Sequence, residues 1–386
     1  MRKIIIQILS ILLISSMLLC AVSCSKDKGG DLPDTGAESK DTTNDTTDSE
    51  DTGTKPDDDE DPDDDTSLNM TAKGLYSGNP AVRIIGDRNR TASNCLYLDY
   101  TGSGFEVALN TNSEKLTFPI VGNSSFRIFV DGVAWKNAEG GYVHVPARGN
   151  FVQITGVSKG EHIIRVIKAD NNDNTATISS VVFDGMLMDT ITSTPKEKYV
   201  EFIGDGSLMN GSDVAEMFPY MTAETLGADY QIFAWKTAKA ETAAVDYGYT
   251  SPWDTANRKA YTKTRDANAI VLSIGANDTI SPDDFANVYS SLIRTLSKKN
   301  GSKVKIYCVY DGEHPYKNKI SEVCANLGGE AAGVFALDLS GKSEAERAAA
   351  LSALISSTID HETVPMGSSG VGTVVSFANG KSVEPA

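Results

Sequence analysis

The sequence has no surplus of positive charge. Its 386 residues carry 35 Lys and Arg against 52 Asp and Glu, a net charge of −17 at pH 7. A nucleic-acid partner calls for a basic stripe that follows phosphates, so none is expected, and a polybasic membrane-surface protein is disfavoured with it. After residue 23 no apolar run is long enough to span a bilayer. Cysteine is scarce too, at five. Cys95, Cys308 and Cys324 lack metal-ligand spacing, so neither a disulfide framework nor a zinc site is expected, and Cys308 in an apolar strand reads as a buried thiol.

What is present is organised along the chain. Met1-Arg2-Lys3 followed by the apolar stretch from Ile4 to Leu19 has the shape of a secretion signal. It ends in Ala21-Val22-Ser23-Cys24, small residues ahead of a cysteine, and resembles the bacterial lipoprotein signal with Cys24 as the lipid attachment site. Ala21 departs from that pattern, which usually has Leu there. Bulky Leu18 and Leu19 make Cys20 the weaker candidate. Residues 25–69 then hold 14 Asp and 3 Glu against 4 Lys, with almost nothing apolar to offset the entropy of ordering. This stretch reads as a disordered tether, roughly 35–40 Å long as a random coil and longer with self-repulsion. Calcium binding by Asp57 to Asp65 is disfavoured, because no glycine or bidentate glutamate sits at binding-loop spacing.

Two textures follow. Over residues 70–190, short apolar segments such as Val82 to Ile85, Phe105 to Leu109, Phe126 to Val130 and Ile163 to Ile167 alternate with turns at Thr101-Gly102, Asp131-Gly132 and Lys159-Gly160. That pattern predicts a β-sandwich or jelly roll. Over residues 197–382 the apolar runs lose their alternation, as strands buried on both faces do. Tyr199 to Ile203, Tyr230 to Ala234, Ala269 to Ile274, Lys305 to Tyr310 and Val334 to Leu339 are the strands. Ser281-Pro282 and Ser343 with Glu346 start helices between and after them. The expected fold is α/β, a flavodoxin-like domain with a five-stranded parallel sheet and its site at the strand C-termini.

Ile203-Gly204-Asp205 after the first of these strands and Gly275-Ala276-Asn277-Asp278 after the third resemble the SGNH (GDSL-type) hydrolases. A β-domain placed before such a domain, carrying Phe129-Val130-Asp131-Gly132 and Gly160-Glu161-His162-Ile163, resembles the second carbohydrate-esterase family, secreted deacetylases of plant polysaccharides. The resemblance implies acyl transfer by a serine after Gly-Asp, an oxyanion-hole glycine after the second strand, an asparagine donor after the third, and a histidine base in Asp-x-x-His-Pro near the C-terminus. No cofactor is needed.

Measured against that pattern, Gly206 stands where the serine belongs, with Ser207 and Gly211 each one place late. Phe233-Ala234-Trp235-Lys236-Thr237 has no glycine. Asn277 is in place as side-chain donor, with Asp278 ordering its loop. Thr363-Val364-Pro365-Met366-Gly367-Ser368-Ser369-Gly370 fits the histidine–proline turn, which puts Val364 at the base and His361 at the aspartate. Asp311-Gly312-Glu313-His314-Pro315 spells the missing motif after the fourth strand instead, making His314 the substitute base and a surface turn its plainer reading. His144 and His162 are read as structural or exposed.

Three functions are therefore carried forward. One is a degenerate, lipid-anchored esterase that binds glycan, with Trp235, Trp253 or Trp135 as stacking surfaces and core packing as the competing role for each. Another is an active O-deacetylase using Ser207, Asn277 and His314. The third is a scaffold lipoprotein. Cys24→Ala is expected to release the protein from the membrane fraction or leave its signal uncleaved; unchanged lipid labelling in that variant would point to Cys20. Limited proteolysis is expected to trim residues 25 to about 69 and stop at a compact core.

Overall fold

The computed structural model describes residues 70–367, except 76–78, 89, 93–94, 137–142, 147–149, 172, 190–193, 253–258 and 302, together with 377–378 and 381–382. The signal, Cys24, the acidic tether and Trp253 lie outside the described residues.

The first domain is two seven-stranded antiparallel sheets around one core. In one, Gly104–Thr111 pairs with Gly160–Lys168, which pairs in turn with Ser124–Val130. In the other, Lys115–Val121 is flanked by Asn150–Thr155, Ala176–Ile178 and Ser180–Phe183. Side chains alternate across a strand, so Phe105, Val107 and Leu109 meet Leu116, Phe118 and Ile120 of the facing sheet, all buried. Asp131-Gly132 closes a two-residue hairpin with φ of 50° and 80°, the left-handed pair that such turns require. The Asp131 carboxylate also takes the Ile163 N–H at 2.9 Å and pairs with His162 Nδ1 at 2.7 Å. The two β-domain segments that carry the family resemblance are thus one clamp, and His162 is structural.

The second domain holds five parallel strands: Tyr199–Gly204, Asp229–Ala234, Ala269–Ser273, Lys305–Tyr310 and Val334–Asp338. Their order in the sheet is second, first, third, fourth, fifth. Val200 and Phe202 face the helices Phe218–Leu226 and Glu344–Thr358, while Tyr199 and Ile203 face Ala240–Asp246, Pro282–Asn300 and Lys317–Asn326. Two helices start where the sequence places them. The Ser281 hydroxyl accepts from Asp284 N–H at 3.1 Å ahead of Pro282, and Ser343 with Glu346 closes a capping box. In this order the progression across the sheet reverses between the first and third strands, which makes the crevice at their carboxyl ends the expected ligand position.

The domains meet over a charged and apolar seam. The sheet face opposite the β-domain core presents Glu106 to Arg83 at 3.0 Å and to Arg165 at 2.7 Å. Arg83 and Arg265 both pair with Asp229 of the second domain, and Arg127 pairs with Asp213. Ile85, Ile167 and Ala169 join the apolar cluster built on Val200 and Phe202.

Gly204 shows how closely the first and third strands approach. A Cβ there would lie 1.8 Å from the Ser273 carbonyl oxygen. Gly204→Ala is expected to cost at least about 2–3 kcal/mol by overpacking against backbone that cannot yield, measured by denaturant unfolding.

Candidate active site

The first strand ends at Gly204 beside Ser273, the last residue of the third, in parallel register. Asp205 follows, buried, and its carboxylate accepts three backbone N–H groups: Ser207 at 2.9 Å, Gly275 at 3.1 Å and Ala276 at 3.1 Å. A buried carboxylate needs such donors, and here they tie the two loops of the crevice together.

Ser207 lies in a short 3₁₀ turn, Gly206–Met209, half-buried. Its Oγ is 2.7 Å from Ser273 Oγ. Gly206, the gapless match to the family serine, has nothing within 4 Å of where a Cβ would stand.

His314 stands at the same edge, in the loop after the fourth strand. Ser207, Ser273, Asp311, His314 and Arg347 line one cavity of about 10 Å³. That is room for about one water and not for an acyl ester. The ring is held firmly: His314 is only 8% exposed, and Gly275 supplies the space, since a Cβ there would come within 3.0 Å of the imidazole Cε1 and 2.7 Å of Phe285. The Tyr316 backbone N–H donates to His314 Nδ1 at 3.2 Å. A backbone amide can only donate, so neutral His314 carries its proton on Nε2 and offers a donor there. Nε2 is buried with no hydrogen bond of ordinary geometry, though the Ile274 carbonyl lies near enough to favour a charged ring. Burial lowers the His314 pKa, outweighing Asp205, the Ile274 carbonyl, Asp311 and Asp278, which favour the charged form. His314 therefore shares an edge with Ser207 and presents Nε2 there as a donor.

The other expected residues separate. Asn277 Nδ2 donates to the Lys236 and Ala238 carbonyls at 2.8 and 3.0 Å, which commits both amide protons to the second-strand loop and leaves none for an oxyanion. Asp278 accepts from Ala240 and Glu241 N–H at 2.8 and 3.1 Å, ordering the start of helix Ala240–Asp246. Trp235 is buried against Phe233, ring centroids 5.2 Å apart, and is core rather than a stacking surface. Trp135 is half-buried, with Nε1 donating to the Thr155 carbonyl at 3.0 Å.

The C-terminal register needs correcting. His361 lies beside Lys198, Asn268 and Val304, the residues that precede three parallel strands. It is at the opposite edge from Ser207, about 20 Å away along a six-residue strand. Val364 N–H donates to the Ala331 carbonyl at that same edge, so residue 364 is not the base position. Among the described residues, the turn from the fifth strand into the following helix is Leu339–Ser343. Asp338-Leu339-Ser340-Gly341 there has the Asp-x-x spacing with glycine in place of histidine.

Sequence reasoning missed Ser273 and Asn171. Ser273 was recoverable from strand register alone, as the neighbour of Gly204. Asn171 of the β-domain donates to the Met209 and Gly211 carbonyls at 3.3 and 2.9 Å, holding the Ser207 loop from outside. Nothing local in the sequence signals it.

No family model matches the sequence, and no curated protein matches it. Solved structures do. A family-two carbohydrate esterase from Cellvibrio japonicus superposes with a TM-score of 0.64 at 16% identity, over 75% of this chain and 99% of that one. The chain has the fold of the family-two carbohydrate esterases. A second such esterase, from Clostridium thermocellum in complex with cellohexaose, gives 0.61 at 17% identity over 72% and 98% of the two chains. A third structure, described as a carbohydrate esterase active site with divergent catalytic and non-catalytic binding functions, gives 0.55 at 16% over 73% and 96%. This esterase fold spans the β-domain and the parallel-sheet domain together.

Because the folded-state pKa of His314 lies below its ordinary 6.5, the unfolded chain binds the proton more readily. The contribution of His314 to stability is complete above pH 6.5 and is lost as pH falls below it toward the folded-state value. His314→Gln is expected to flatten the decline of Tm between about pH 7 and 5; an unchanged slope would count against a neutral, buried imidazole.

Proposed function

We propose that this chain is an extracytoplasmic, lipid-anchored protein that binds glycan through the carbohydrate-esterase fold, with ester hydrolysis weak or absent. The observation that carries the reading is the state of Ser207. Its hydroxyl is partnered by Ser273 Oγ, and the one imidazole at its edge among the described residues presents a proton rather than a lone pair. A serine without a base loses most of its nucleophilic catalysis. In a serine-protease precedent the remaining donors and binding retain only about 10³–10⁴ over water. Here the Asn277 amide protons are already spent, and a single donor is worth on the order of 3 kcal/mol. Glycan binding is supported by the cellohexaose complex of one structural neighbour and by the non-catalytic binding ascribed to another. The lipoprotein signal ending at Cys24 supports the anchoring, and the two seven-stranded sheets support reading the first domain as a jelly roll.

A second reading, an active O-deacetylase using Ser207 with Asn277 and His314, is favoured by one fact: Ser207 and His314 line the same cavity. The fragment from Met70 onward separates the two. It is expected to turn over an activated acetyl ester no faster than its Ser207→Ala variant, and to bind cello- or xylo-oligosaccharide equally well in both forms. Robust turnover lost in Ser207→Ala and in His314→Gln alike would establish the deacetylase instead.

A further inference from the structure

The turn after Val82–Ile85 sends Arg88 out of the β-domain and into the parallel-sheet domain, where it is fully buried. Its guanidinium carbon lies 3.9 Å from the ring centroid of Phe233, 4.3 Å from that of Tyr247 and 3.8 Å from that of Tyr261. The rings stand nearly perpendicular to one another, at 89° between Phe233 and Tyr247 and 82° between Tyr247 and Tyr261, and so form walls rather than a stack. Nη1 donates to the Tyr247 and Tyr249 carbonyls at 3.1 and 3.0 Å. Glu201, in the middle of the first parallel strand and fully buried, faces Nη2 at 3.6 Å. Flat aromatic faces, in-plane carbonyls and one carboxylate are complementary to a planar, delocalised cation with donors around its rim.

We propose that the parallel-sheet domain carries a guanidinium-binding cage, built from Glu201, Phe233, Tyr247 and Tyr261, which Arg88 fills in cis and which takes a free guanidinium-class ligand when Arg88 is truncated. The cage keeps its walls without Arg88. Tyr247 Oη bonds Glu201 and accepts from Asn300 Nδ2 at 3.1 Å, and Tyr261 Oη is held by Asp87. It also has bonding capacity that Arg88 leaves unused. Arg88 Nε and Nη2, Glu201 Oε1 and Tyr199 Oη are all buried without a hydrogen-bond partner. The Arg88 stem fixes how far its head group reaches, so the 3.6 Å separation from Glu201 persists. An untethered guanidinium is free to close it. Glu201 also explains why the site must be filled, since a lone carboxylate buried in a central strand is costly.

The test uses the full chain with Arg88→Ala, melted in methylguanidinium chloride at low millimolar concentration and, as control, in methylammonium chloride at equal ionic strength. Truncation is expected to lower Tm by about 5–15 °C, as for a buried pair that has lost one partner. Methylguanidinium should then raise the Tm of the variant saturably, methylammonium should not, and the wild type should respond to neither. Adding Glu201→Gln to Arg88→Ala should weaken the methylguanidinium response. Equal effects of the two cations, or an equal rise in the wild type, overturn the proposal. If Arg88→Ala does not fold, the readout becomes refolding yield: selective recovery with methylguanidinium supports the cage, and no recovery overturns it.

Discussion

The carboxylate of Asp205 is the constraint on which the crevice depends. It is buried at the end of the first parallel strand, where a charge without donors would be costly, and it collects the amides of Ser207, Gly275 and Ala276. Those bonds fix the first-strand turn against the third-strand loop and let Gly275 sit under the His314 ring. The shape of the crevice follows from them.

Ser207 meets a second oxygen rather than a nitrogen, and the imidazole nearby has its lone pair taken by Tyr316 N–H. Asn277 holds the second-strand loop through its carbonyls, and Asp278 anchors the next helix. Each residue that the family resemblance assigns to chemistry has a structural task here. The β-domain adds its share: Asn171 grips the Ser207 loop, and Arg83, bonded to Glu106 and Asp229, links the two domains. Support for the crevice is thus spread over both domains, in keeping with a neighbour that matches both.

Much of this was legible in the residues. The unalternating run Tyr199 to Ile203 reads as a buried parallel strand because nothing polar but Glu201 interrupts it, and that exception is answered by Arg88 from another domain, which no local pattern reveals. Ser281-Pro282 marked its helix through side-chain chemistry confined to one turn. The histidine–proline turn was misplaced because Val364-Pro365 imitates it in sequence, whereas which edge of the sheet a segment reaches depends on where the helix before it ends. Helix Glu344–Thr358 runs back from the crevice edge, so everything just after it lies at the far edge. That His314 Nδ1 accepts the Tyr316 N–H was invisible for a related reason: the donor is a backbone amide, and every residue but proline has one.

Gly206 and Gly341 differ in what a substitution would meet. At both positions a side chain would find nothing within 4 Å of its Cβ, but Gly341 has φ of 69°, a left-handed conformation that strains any other residue. Glycine and serine codons can differ by a single base, whereas glycine and histidine codons always differ by at least two. A hydroxyl at position 206 needs one mutational step and no change of backbone, whereas an imidazole at 341 needs two steps and a strained turn. On the reading proposed above, a base would therefore be harder to restore at 341 than a hydroxyl at 206.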